Sequence, residues 1–245
     1  MTTEIPIISI SAGDLLKLNL KSLCGRLSAG LVHAGNNILS GIMTQLDLAS
    51  YAKSEVELRE QLNAVLNSCD EGSKLLRHFQ RFITTMEGPD GVMDAADIFE
   101  SALVTLNRVH RRHHTHWLNR TQDKLLYINN CAAYAQAVYH LCSATLETRS
   151  EQKSDVMIEG EVERRGDIVE LTLSYPVKEP PFELISEAGF SLAAPSGTAY
   201  HFWIIDLFKH RLAQEDPQFD SDAIIYKADF TKGILTLKWP YAAKN

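Results

Sequence analysis

The sequence predicts an N-terminal antiparallel helical hairpin, paired with a second copy into a dimeric four-helix bundle, followed by a C-terminal α+β sandwich. Three observations predict it. Two long stretches carry apolar residues at alternating spacings of four and three; a Pro/Gly break follows at 86–91; beyond it, short strand-like runs alternate with helical ones. The expected division is residues 1–85 for the hairpin, 86–91 for a linker and 92–245 for the second domain.

Residues 15–52 read as one helix, with Leu20, Cys24, Leu27, Leu31, Ala34, Ile38, Gly41, Gln45 and Leu48 forming its seam. A polar turn at 50–55 ends it. Ser54 is the expected N-cap of the next helix, with Glu57 three residues on as its capping-box partner. Leu58, Leu62, Val65, Cys69, Gly72, Leu76 and Phe79 continue the same spacing in the second helix. A lone hairpin leaves such a seam half open, and pairing two hairpins closes it, so a homodimer is expected. Pro89 and its flanking glycines stop the helix. Further on, helices are expected at 95–110, 132–149 and 203–212. Strands are expected at 124–128, at 156–163 and 168–175 around the turn Arg165-Gly166-Asp167, and at 223–226 and 233–239.

The formal charge of −7 disfavours a nucleic-acid partner, since the one basic run, 108–112, is short. No long apolar run predicts a membrane span, and no basic start with an apolar core predicts a secretory signal, so a cytoplasmic location is expected. The four cysteines are scattered without a CxxC pair and read as buried small side chains.

The chemistry centres on the run Gly25-Arg26-Leu27-Ser28-Ala29-Gly30-Leu31-Val32-His33-Ala34-Gly35-Asn36-Asn37-Ile38-Leu39. With Leu31 and Ala34 on the seam, His33 lies on its flank. An exposed imidazole has a free nitrogen near neutral pH and can attack phosphorus. Asn37 lies one turn on, on the same face. Gly30 and Gly35 cost a helix about 1 kcal/mol each, as where access is wanted. Spacing alone also fits a surface histidine that happens to have asparagines nearby.

Residues 25–49 resemble the phospho-acceptor box of sensor histidine kinases, in the form G-R-L-x-A-G-x-x-H-E-x-N-N-x-L. The resemblance implies that His33 is the phospho-accepting residue, with Asn36, Asn37 and Leu39 at motif positions. Ala34 replaces the acidic residue that serves as general base, and Ile38 replaces a proline. The C-terminal part resembles the kinases' ATP-binding domain with its site residues replaced. His140 and Ala144 stand at the two box asparagines, the second of which chelates Mg²⁺ in the family. Residues 174–181 lack the Asp and glycines of the D-x-G-x-G loop. In 190–202 Gly197 and Thr198 survive, while Ala199 and His201 replace glycines.

A retained acceptor beside a lost nucleotide site implies a dimeric histidine phosphotransferase. It would pass phosphoryl groups between response-regulator receivers, with no cofactor of its own and Mg²⁺ supplied by the receiver. Gly41, Ile42 and Gln45 are the expected receiver contacts. The alternatives are an atypical ATP-dependent kinase and a non-catalytic scaffold or inhibitor. Three further features read as structural: the histidine-rich run 109–116, which lacks metal-site spacing; His78; and Tyr200, Phe202, Trp203 and Phe208, expected to fill the nucleotide space as core.

Overall fold

The computed structural model describes residues 11–88, 91–109, 115–122, 125–147, 156–176, 198–215, 221–229 and 232–242. Two long helices lead the chain, α1 at Ala12–Ser50 and α2 at Glu55–Glu87. Each starts where a serine satisfies an orphan amide. Ser11 Oγ accepts from Asp14 N–H, and Ser54 Oγ accepts from Glu57 N–H at 3.2 Å. The Glu57 carboxylate reaches back one residue further than a capping box requires, accepting from Lys53 N–H at 2.8 Å.

Helix α2 runs into the stretch expected to be linker. Met86 is buried in the core, which holds its backbone helical, and the helix closes only at Gly88, whose N–H meets Thr84 O at 2.8 Å. The face of α2 turned inward carries Leu75, Phe82 and Met86, with Gly72 packed against Ile38 of α1. The expected seam residues Leu58, Leu62, Cys69 and Leu76 lie on the adjacent, exposed face. Of the expected seam, Gly72 does meet Ile38, while the burial of α2 is strongest at Leu75, Phe82 and Met86. Cys69 therefore departs from the expected burial, and Cys24 is half-buried; Cys131 and Cys142 are fully enclosed.

After the hairpin come β1 (Met93–Asp94), α3 (Ala95–Val109), β2 (Thr115–Asn119), β3 (Tyr127–Ile128), α4 (Cys131–Glu147), β4 (Val156–Arg165) and β5 (Ile168–Ser174). The chain ends with α5 (Thr198–Glu215), a 3₁₀ turn (Ser221–Ala223), β6 (Ile225–Asp229) and β7 (Ile234–Pro240). Among the described residues, the main sheet has the order β2-β4-β5-β7-β6, with β2 parallel to β4 and every other pair antiparallel. Gly166, at φ +66°, makes the β4–β5 turn that no β-branched residue would accept.

The strand expected at 124–128 shrinks to β3, which pairs with β1 outside the main sheet. Leu125 adopts φ 65°, turning the chain, and the Asp94 carboxylate accepts from the N–H groups of Leu125 (2.7 Å) and Leu126 (3.2 Å). Side-chain capping there replaces ladder hydrogen bonds. Helix α5 begins at Thr198, five residues ahead of expectation.

Alternation along β7 sends Leu235, Leu237 and Trp239 into the core, where Trp239 meets Tyr134 of α4 edge-on at 5.3 Å. Leu16, Leu23 and Leu27 of α1 and Phe82 and Met86 of α2 join the same core. The open end of the hairpin is thus rooted in the α+β domain.

Gly160 of β4 sits where a Cβ would lie 2.2 Å from Phe99 Cζ, and Phe99 is fully buried. Gly160→Ala should therefore cost about 1–3 kcal/mol through overpacking. Urea denaturation checks it, and an unchanged midpoint would contradict this packing.

Candidate functional site

Two groupings bear on function, one on the surface of α1 and one buried beneath its base. On the surface, His33 is exposed, as are Asn36, Asn37 and Gly41, while Ile42 and Gln45 are half-buried. The i, i+4 repeat of the α-helix sets His33, Asn37 and Gly41 along one exposed row, which turns by about 40° per step, so that half-buried Gln45 lies well round the helix from His33. Ala34 is 7% exposed and faces α2, so the position next to His33 is committed to packing and carries no carboxylate. A Cβ built on Gly41 meets nothing within 4 Å, so the row is open there in the single chain.

The buried grouping was not expected. Asn19 on α1, His140 on α4, and Tyr200 and His201 on α5 form a continuous hydrogen-bonded chain. The Tyr200 hydroxyl donates to Asn19 Oδ1 at 2.7 Å. With the amide held in this orientation, Asn19 Nδ2 donates to His140 Nε2 at 3.0 Å. That nitrogen is then an acceptor, so the proton of the neutral His140 ring sits on Nδ1 and points at His201 Nδ1, 2.8 Å away. Both rings of this pair are neutral in that arrangement. His140 is 0% exposed, and Asn19 and His201 are 5% exposed each.

Burial holds the His140 pKa well below the ordinary histidine value, helped by His201 and by the charge of Arg26. Tyr139 packs on the His140 ring edge-on at 5.5 Å. Each of these side chains alone would be costly to bury; joined, they bond one another across three helices.

The positions that the sequence associates with nucleotide binding divide sharply. His140 and Ala144 are both fully buried in α4. Most of the two loops, residues 177–181 and 190–197, lies outside the described residues, as does most of the histidine-rich run, at 110–114. Of the four aromatics expected as core, only Phe208 is fully buried. Phe202 stacks instead on Tyr226 of β6, 5.1 Å away and 10° from parallel. The interior between α1, α4 and α5 is occupied by polar rings and an amide. His78 bridges helices, its Nδ1 lying 3.4 Å from Ser101 Oγ of α3.

No protein-family model matches the sequence, and no curated protein matches it. Solved structures do. The catalytic domain of histidine kinase ThkA aligns at 11% identity, covering 62% of this chain and 97% of its own, with TM-score 0.45. Histidine kinase AdeS of Acinetobacter baumannii aligns at 13% over 85% of this chain and 96% of its own, with TM-score 0.42. A bacterial phosphotransferase aligns at 13% over 94% of this chain and 98% of its own, with TM-score 0.39.

The neutral His140 sets a direction for acid stability. Its folded pKa lies below its unfolded value of about 6.5, so the unfolded chain takes up the proton first. Its contribution is complete above about pH 6.5 and is lost below, by up to about 1.4 kcal/mol per pH unit. Urea midpoints measured across this range should fall in acid for the natural protein and fall less for His140→Gln.

Proposed function

We propose that this chain is a histidine phosphotransferase of a two-component phosphorelay, with His33 as its acceptor. The observation that carries the proposal is the exposed stripe of His33, Asn37 and Gly41 on a helix whose base is anchored in the second domain. In the proposed step, an imidazole nitrogen of His33 attacks the phosphorus of a receiver's aspartyl phosphate. The N–P bond forms as the P–O bond to the aspartate breaks. The carboxylate leaves with the bond's electrons, and the imidazolium proton passes to solvent.

The reverse step loads the next receiver. Asn37 orients the phosphoryl oxygens, with Asn36 beside it, and Gly41, Ile42 and Gln45 meet the receiver. Mg²⁺ comes with the receiver, where it neutralises phosphoryl charge.

Ala34 also supports this reading over autophosphorylation. An imidazole attacking ATP gains from a neighbouring base, and Ala34 supplies none. Ala144, fully enclosed in α4, offers no ligand oxygen for an ATP-bound metal.

The same reading includes a homodimer. Leu39, Met43 and Leu46 of α1 and Leu58, Leu62 and Leu66 of α2 are exposed, between 39% and 66%. Apolar side chains repeated along both helices of a hairpin make a large exposed patch that a second hairpin would cover.

Two measurements test the proposal. Purified protein should become labelled by a phosphorylated receiver and not by γ-labelled ATP, and His33→Gln should abolish the label. Because His33 is exposed, that variant should keep its stability within about 0.5 kcal/mol. Labelling by ATP alone would replace this reading with a kinase, and receiver binding without any label would replace it with a scaffold. Separately, Leu62→Glu should shift sedimentation from dimer towards monomer; a natural protein that sediments as a monomer at working concentration would remove the bundle.

A further inference from the structure

The three bonds of the buried chain each cross between helices: Tyr200 to Asn19 joins α5 to α1, Asn19 to His140 joins α1 to α4, and His140 to His201 joins α4 to α5. We propose that this chain is a proton-operated latch, closed when both imidazoles are neutral, that holds the base of α1 on the C-terminal domain and releases it when His140 takes up a proton.

Geometry makes the latch sensitive to one proton. His140 Nε2 accepts from the Asn19 amide, so a proton added there sets N–H against N–H₂ across 3.0 Å. Rotating the amide would turn its oxygen to His140, but its NH₂ would then face the Tyr200 hydroxyl, which must stop donating. Either way a cation remains at a position with no solvent exposure. The groups that face it are Arg26 and Asn19 on α1, Tyr139 on α4, and Tyr200 and His201 on α5. They comprise a guanidinium, an amide, two phenols and an imidazole. Both His140 nitrogens are already engaged, so no carboxylate is bonded to the ring.

Release lets His140 meet water and protonate at its ordinary value. In the first pH unit below about 6.5 the ratio of open to closed therefore rises about fivefold for the one imidazole, approaching tenfold per unit further down. The freed segment is the base of the helix that carries His33, so acid would change how that histidine is held relative to the second domain. The latch stands independently of whether His33 accepts phosphate.

The test is hydrogen exchange on the full chain, corrected for intrinsic rates, at about pH 7.5, 6.5 and 5.5. Amides of Leu20 and Leu23 report the base of α1, and those of Leu171 and Leu237 report the sheet. Protection at Leu20 and Leu23 should fall about fivefold between the two lower values while the sheet stays protected. His140→Gln should make the α1 response flat. Asn19→Asp should shift release to lower pH, because a carboxylate accepts from both Tyr200 and a protonated His140. A flat natural protein, or an equal loss in the sheet, overturns the latch. So does a pH response that persists in His140→Gln. If that variant does not fold, an unchanged release point in Asn19→Asp overturns the latch equally.

Discussion

The rest of the structure depends on how the base of α1 is fixed. A two-helix hairpin cannot bury its own apolar face, and here its open end borrows one: Leu16, Leu23, Leu27, Phe82 and Met86 sit in the same core as Phe99, Tyr134 and Trp239. Apolar burial of this kind supplies attraction without direction. Direction comes from Asn19, whose amide finds its two partners only when α1 meets α4 and α5 in one rotation and one register. Sliding or turning the helix would leave a buried amide, a phenol and an imidazole unsatisfied, at about 1–3 kcal/mol for each stranded group. The apolar contacts hold the helix down, and the polar chain fixes where it points.

That division explains what the sequence makes legible. Long helices announce themselves through period and caps, and the Ser54–Glu57 pair locates the start of α2 to the residue. The β4–β5 turn is equally plain, because Gly166 sits between two alternating runs. What period cannot settle is which neighbour a face meets. Leu75 and Leu76 are adjacent in sequence, yet one is 2% and the other 57% exposed, because about 100° of helix rotation separates them and only one lies on the covered face of α2. The stretch 124–128 reads as one strand, but Asp94, some thirty positions away, captures the amides of Leu125 and Leu126, and only Tyr127–Ile128 pairs as a strand. Long-range capping of this kind leaves no local trace.

Legibility of the sites follows the same rule. His33 stands out because its surroundings are contiguous, a single helical run with asparagines and glycines at fixed offsets. The buried chain draws its members from positions 19, 140, 200 and 201, and each looks ordinary where it stands. His140 and His201 are conspicuous only as replacements, at places where the resemblance to kinases leads one to expect an asparagine and a glycine. Two imidazoles substituted into a region that packs together were the available signal, and Asn19 had none.

The lack of a carboxylate at the position after His33 bears on chemistry as well as packing. Phosphoryl transfer from ATP to a neutral imidazole begins with a poor nucleophile and a donor that needs its own metal site, so a neighbouring base and a chelating side chain both matter. An aspartyl phosphate is a mixed anhydride; its leaving group is a carboxylate stable at neutral pH, and the receiver that carries it brings the metal. The acceptor then needs an unprotonated nitrogen, space for the approach, and a helix held still. On the proposed reading, Ala34 can be given over to packing against α2, because at that position stillness serves the reaction better than a base would. On the same reading no nucleotide enters, and the interior between α1, α4 and α5 holds a polar chain that anchors the same helix.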